Sequence, residues 1–297
     1  MNALMLMLLA LGTAPEQRRV VVAPAETLTV ELWGAPSAPA VVLIADLLGS
    51  AYTFRHVAPA LVEAGYRVIV VEPLAVGTSS RPRRADYSLN AQALRVAAVL
   101  DSCGVTSAIV GAQGTNGAVA VRLAVARPDK VIRLVLLEGG GAERAAGPGF
   151  RRAMQNSAGL QLLGYGFVRG AIRRGMISAS GDASWVTDDV VNEYTRGGAS
   201  DLGATIDAYR AIARAKEPDD IADLLMQVRI PVLLLLGGAK HGAGPPKDEV
   251  RMLAAGLVAL TIDTVPAAGH HLAEERPDRV TAALLGTPAL SVRATAP

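Results

Sequence analysis

Apolar residues recur along this chain with two distinct periods. Arg18–Ala23 and Thr27–Trp33 alternate between apolar and polar, and Ala40–Asp46 is a nearly continuous apolar run set off by Ser37-Ala38-Pro39. These patterns predict strands, half-buried in the first two cases and fully buried in the third. Beyond them the two periods take turns. Phe54–Ala64, Leu89–Cys103 and Ala118–Ala126 have helical spacing, while Tyr66–Val71, Ser107–Gly111 and Val131–Glu138 are strand-like. The same rhythm returns near the end, with strand Ile230–Leu236, helix Glu249–Leu257, strand Leu260–Val265 and helix Leu272–Leu285. Such alternation with buried strands predicts an α/β fold: a mostly parallel sheet of about eight strands, entered through an antiparallel edge and flanked by helices.

The rhythm breaks in one place. Residues 141–229 show helical segments at Leu162–Arg174, Asp188–Arg196 and Ala204–Ala215, with Gly-rich turns at Gly139-Gly140-Gly141 and Gly197-Gly198 and no strand pattern. A helical insertion between two parallel strands is expected to cap the carboxyl edge of the sheet, where α/β proteins bind ligands. The expected organisation is therefore a core from residues 18–140 and 230–297, with a cap from 141–229.

Composition narrows the function. Hydrophobic residues make up 51% of the 297 positions and charged residues 19%, enough for a sizeable core. The 29 basic and 27 acidic residues give a formal charge of only +2 with no long run of either sign. This charge pattern argues against nucleic acid and against a polybasic membrane patch, and favours a small apolar molecule or a protein as partner. Cys103 is the single cysteine, which excludes an intramolecular disulfide and any CxxC motif; it is read as core. No cofactor is expected. Residues 1–17 begin with an apolar run followed by small residues at Gly12 and Ala14, as in a signal peptide, but no Lys or Arg precedes the run and Pro15 follows it. Export and an N-terminal arm packed on the body both stay open. The run is too short to span a bilayer, which takes about 20 residues, so any membrane association would be through this segment alone.

Several local sequences resemble one family in order and spacing. They are Phe54-Arg55-His56-Val57-Ala58-Pro59-Ala60-Leu61 before Ala64-Gly65-Tyr66-Arg67-Val68, and Gly77-Thr78-Ser79-Ser80-Arg81-Pro82 before Tyr87-Ser88-Leu89. Ile230-Pro231-Val232-Leu233, Gly269-His270 and Glu275-Arg276-Pro277 complete the series. From about Val20 to Leu285 the chain resembles the α/β-hydrolase family with a helical lid, which includes epoxide hydrolases, haloalkane dehalogenases, C–C bond hydrolases and prolyl-aminopeptidase-like esterases. The resemblance implies a nucleophile on a strained strand-to-helix turn, a His base, an orienting acid and an oxyanion hole.

This sequence departs from that pattern at three positions. The turn reads Val110-Gly111-Ala112-Gln113-Gly114-Thr115-Asn116-Gly117-Ala118, which puts Gln113 at the nucleophile when aligned on Gly111 and Gly114 when aligned on the helix. An amide nitrogen is a poor nucleophile and Gly has no side chain. Thr115 is displaced from the tip and is read as a helix cap. The late-strand acid is replaced in Gly238-Ala239-Lys240-His241, since His241 supplies no fixed negative charge. The first parallel strand ends Ala45-Asp46 where relatives have His-Gly, so Asp46 brings a carboxylate near the expected oxyanion site. His270 keeps its family-like setting, and Glu138 stands where some relatives place the acid, so a His270–Glu138 pair is the candidate for any remaining proton transfer. His271 is expected at the surface and His56 in a packed helix. A metal site of His241, His270 and Glu138 is a further alternative in ligand type only. The three changes together favour a non-hydrolytic pseudoenzyme that binds a small apolar ligand or a protein partner; the alternatives are a non-covalent lyase, cyclase or isomerase using His270 as acid and base, or a residual hydrolase.

Overall fold

The computed structural model describes residues 14–286 apart from 156, 158 and 159; the apolar N-terminal run lies outside them. Strands β1 (Glu16–Ala23), β2 (Glu26–Trp33), β3 (Ala40–Ile44), β4 (Arg67–Glu72), β5 (Ala108–Gln113), β6 (Val131–Leu137), β7 (Val232–Gly237) and β8 (Leu260–Val265) form one sheet in the order β1-β2-β4-β3-β5-β6-β7-β8. β2 is antiparallel to both β1 and β4, and every later pairing is parallel.

Successive side chains of the central strands pack on opposite faces, as the two-residue period requires. Val42, Ile44, Ile69, Val71, Leu134 and Leu136 join one core with helices α2 (Leu89–Ser102) and α3 (Gly117–Ala126). Val41, Leu43, Val68, Val70, Val135 and Leu137 join the other, against α1 (Val57–Glu63) and the C-terminal helix. Each such side chain contributes about 1.5–3 kcal/mol when fully buried, so a one-residue register slip would be prohibitive. Cys103 is in the first core.

Between β6 and β7 the chain forms α4 (Pro148–Gln155), α5 (Leu160–Ala179), α6 (Asp188–Ser200), α7 (Leu202–Arg214) and α8 (Ile221–Leu225). α4 and α8 escape the sequence reading because α4 buries none of its residues and α8 is only five residues long. After β7 come α9 (Lys247–Gly256), α10 (Leu272–Glu275) and α11 (Pro277–Leu285). The expected single helix over 272–285 is thus two. Pro277 has no N–H to donate and pushes Arg276 out of the helical region, to φ −143° and ψ 61°. The helix expected over Phe54–Ala64 is likewise split, into a 3₁₀ turn at Ala51–Phe54 and α1, and His56 is exposed at the junction rather than packed.

One buried network ties the insertion to the core elements that flank the sheet. Glu274 of α10, whose side chain is fully buried, pairs with Arg55 and accepts from the Tyr194 hydroxyl of α6 at 2.6 Å. Burial and the Glu274 charge hold the Tyr194 phenol well above its ordinary pKa, so it stays a neutral donor.

Candidate active site

The centre of the site is the turn between β5 and α3. Gln113 is the last residue of β5, and Gly114 follows with φ 59° in the left-handed region. The tip of the turn is therefore Gly114 and not Gln113, which resolves the two alignments in favour of the one anchored on the helix. Gly fits here because the left-handed backbone disfavours a Cβ. A second reason is space: an idealised Cβ on Gly114 would fall 2.9 Å from both carboxylate oxygens of Asp46. The turn also packs against the end of β6, where a Cβ on Gly139 would be 2.4 Å from the Gly114 carbonyl oxygen. Thr115 lies inside a 3₁₀ turn and faces a cavity instead of capping α3, and the Asn116 side chain at the helix start donates to the Ala45 carbonyl.

Three strand ends deliver ionisable groups to this turn. Asp46 follows β3, the neighbour of β5, and its side chain is 23% exposed. Glu138 follows β6 with φ 59°, an uncommon conformation for a residue with a side chain. Its Oε1 accepts from the Gly237 N–H at the end of β7. His270 lies in the loop after β8, fixed by its N–H to the Ala179 carbonyl at 2.8 Å.

These groups form a line. His270 Nε2 stands 3.7 Å from Asp46 Oδ2, and His270 Nδ1 stands 3.6 Å from Glu138 Oε2. His241 joins from the far side, its Nε2 3.3 Å from the same Glu138 oxygen. Burial works against charge on His270, but the carboxylates of Asp46 and Glu138 outweigh it and raise the imidazole pKa to about 9. The two flanking carboxylates thus favour the protonated form of His270. His241 and His270 both turn a ring nitrogen toward the same Glu138 oxygen without an aligned hydrogen bond to it, and among the described residues no group has the disposition of a metal site.

The structure brings together Asp46, Gly114, Glu138, His241 and His270, with Gln113 beside them; Ala45 is fully buried beneath and its side chain does not reach a cavity. His271 corrects the expectation of a surface residue. It is partly buried, its ring is 5.0 Å from that of Trp185, and burial together with the neighbouring His270 charge lowers its pKa to about 3. Consecutive residues point apart in a strand, but His271 stands at the start of α10, where that rule does not hold.

Two cavities meet at Asp46 and His270. One, about 480 Å³, is walled by Leu48, Phe150, Phe167, Ile172, Met176 and Ile206, with Gln113 and Tyr209 among its few polar side chains. The other, about 710 Å³, is bordered by Thr115, Glu138, Arg144, Arg151 and Glu249. Tyr209, on α7, was not singled out by the sequence because its apolar spacing marks it only as a helix-face residue. Burial raises its pKa, so it too is a neutral phenol.

The comparisons with known proteins agree with this architecture. A family model described as alpha/beta hydrolase fold matches residues 39–169. Epoxide hydrolase A of Mycobacterium tuberculosis is 26% identical, over 85% of this chain and 91% of that protein. Among solved structures, Cfl2 from Burkholderia cenocepacia superposes with a TM-score of 0.76 at 23% identity, covering 92% of this chain and 95% of its own. Epoxide hydrolase A from Mycobacterium thermoresistibile gives 0.73 at 21%, covering 93% and 98%. At these identities the structural likenesses speak to fold and not to chemistry. With the strand order, they show that the chain has the α/β-hydrolase fold.

Proposed function

We propose that this protein is an enzyme of non-covalent acid–base type, a lyase or isomerase, acting on a small and largely apolar molecule under a cap formed by residues 141–229. The observation that carries the reading is His270 standing on the cavity floor between two carboxylates, 3.7 Å from Asp46 and 3.6 Å from Glu138, which favour its protonated form. A protonated imidazole is a proton donor and cannot activate water, whereas the adjoining carboxylate of Asp46 accepts a proton. Asp46 would take a proton from carbon or oxygen of the substrate, His270 would give one to a carbonyl oxygen or leaving group, and Glu138 would hold the ring in place.

Acyl transfer fits the site poorly. Gly114 offers no nucleophile, and the Asp46 carboxylate stands where a tetrahedral oxyanion would need donors. These same losses, with His241 in the usual acid position, are what support a pseudoenzyme. The paired charges around His270 weigh the other way, because binding alone gives no reason to bury an imidazolium between two carboxylates.

One observation favours a second reading. The Asp46 carboxylate fills the space of the missing side chain at the turn, so Asp46 would act as a displaced nucleophile, as in hydrolysis of an epoxide. The similarity to Epoxide hydrolase A adds family-level support. That route needs neutral His270 to activate water and would run only at alkaline pH. The two readings separate in one pair of experiments. Incubation with cyclic β-hydroxyketones in D₂O should give C–H exchange or elimination that falls about a hundredfold or more in Asp46→Asn. Single turnover of styrene oxide in H₂¹⁸O should leave Asp46 unlabelled. Labelled Asp46 with no exchange would replace the first reading by the second, and neither signal would return the protein to a binding role.

A further inference from the structure

Gln113 carries a polar atom that no described residue satisfies. Its residue is 2% exposed, and its Nε2 donates to the His270 carbonyl at 3.3 Å. Because that carbonyl can only accept, the amide must present nitrogen to it, which fixes Oε1 as the other end. Oε1 is buried and has no hydrogen-bond partner among the described residues. A buried carbonyl oxygen left unpaired costs about 1–3 kcal/mol, so such groups in folded proteins are rare and call for an explanation.

The position of Gln113 supplies one. The residue lines the 480 Å³ cavity, whose walls are otherwise dominated by Leu48, Phe150, Phe167, Ile172, Met176 and Ile206. An apolar chamber with a buried, unsatisfied amide acceptor on its floor beside the Asp46 carboxylate is the form of a site in which a few polar contacts set orientation. We infer that Gln113 Oε1 is a ligand-recognition group that accepts a hydrogen bond from an O–H or N–H donor on an otherwise apolar molecule. The ligand class is thus an alcohol, enol or secondary amide with a hydrocarbon body. An ether, ester or ketone of the same shape would set its own oxygen against Oε1 and be rejected.

This inference names the substrate class for the proposed reaction and rests on the same cavity. Its test, however, reads binding alone, so turnover failing while binding behaves as stated would remove the reaction and keep the recognition site. The probes are cyclohexylmethanol and (methoxymethyl)cyclohexane, titrated into the full-length protein and followed by calorimetry or NMR. Wild type should bind the alcohol about tenfold or more tightly than the ether. Gln113→Met, which keeps the volume and removes the acceptor, should bind the two equally. In wild type labelled with ¹³C at the glutamine carboxamide, the Gln113 signal should shift with the alcohol and not with the ether, a readout that does not depend on the variant folding. Equal binding of the two probes by wild type, binding of neither, or an alcohol preference that survives in Gln113→Met would overturn the inference; the last would assign the contact to Asp46.

Discussion

The carboxylate of Asp46 and the bare α-carbon of Gly114 are complementary: both carboxylate oxygens lie 2.9 Å from where a Cβ on Gly114 would be. A side chain at the turn and the Asp46 carboxylate where it now stands could not share this space, so one of them would have to shift.

This exclusion predicts the outcome of rebuilding the nucleophile. Gly114→Ser alone should stay unreactive toward a fluorophosphonate probe, because its hydroxyl has no room beside Asp46 and the left-handed backbone costs about 1–2 kcal/mol. Gly114→Ser with Asp46→Gly should be labelled, since His270 and Glu138 already supply base and acid positions. Labelling is read by mass spectrometry; reaction of the single variant at rates equal to the double would show that Asp46 moves aside freely.

Stability should peak near pH 6.5. For His270 the folded pKa of about 9 lies above the ordinary 6.5, so its contribution is complete below pH 6.5 and is lost as pH rises through 9. For His271 the folded pKa of about 3 lies below 6.5, so the unfolded chain takes up a proton that the native state refuses, and stability falls as pH drops from 6.5 toward 3. One proton of difference corresponds to roughly 1.4 kcal/mol per pH unit. Urea denaturation across pH 4–10 should show both limbs. His270→Gln should flatten the alkaline one and His271→Gln should reduce the acidic one.

The Arg55–Glu274–Tyr194 network should be a strong polar tie between the insertion and α10, alongside the Glu217 contacts to α2 and α3. Glu274→Ala strands Arg55 and a buried phenol and should cost about 3–5 kcal/mol. Tyr194→Phe removes one charge-assisted hydrogen bond and should cost about 1.5–3 kcal/mol. Chemical denaturation measures both; a loss below 1 kcal/mol for Glu274→Ala would mean that α6 is held by apolar packing alone.

Much of the fold was legible because its central strands are buried on both faces and read as apolar runs, as in Ala40–Ile44 and Arg67–Glu72. The approach of Glu138 to His270 was also within reach, since both follow strands at the same edge of a parallel sheet. The contact between Asp46 and Gly114 was not. It depends on β3 lying beside β5, a neighbour relation across 68 residues that no local pattern encodes. His271 was misread for the same reason: Trp185, which covers it, comes from the insertion. Gln113 against Gly114 was undecidable by spacing alone, because only the positive φ identifies the tip of the turn.

The account rests on His270 being an imidazolium clamped by Asp46 and Glu138, and the imidazole titration tests this directly. In protein labelled with ¹⁵N at histidine, followed by long-range ¹H–¹⁵N NMR from pH 5 to 10.5, His270 should titrate near 9 and fall in Asp46→Asn and in Glu138→Gln. A wild-type midpoint at or below 6.5, unchanged in both variants, would contradict the account.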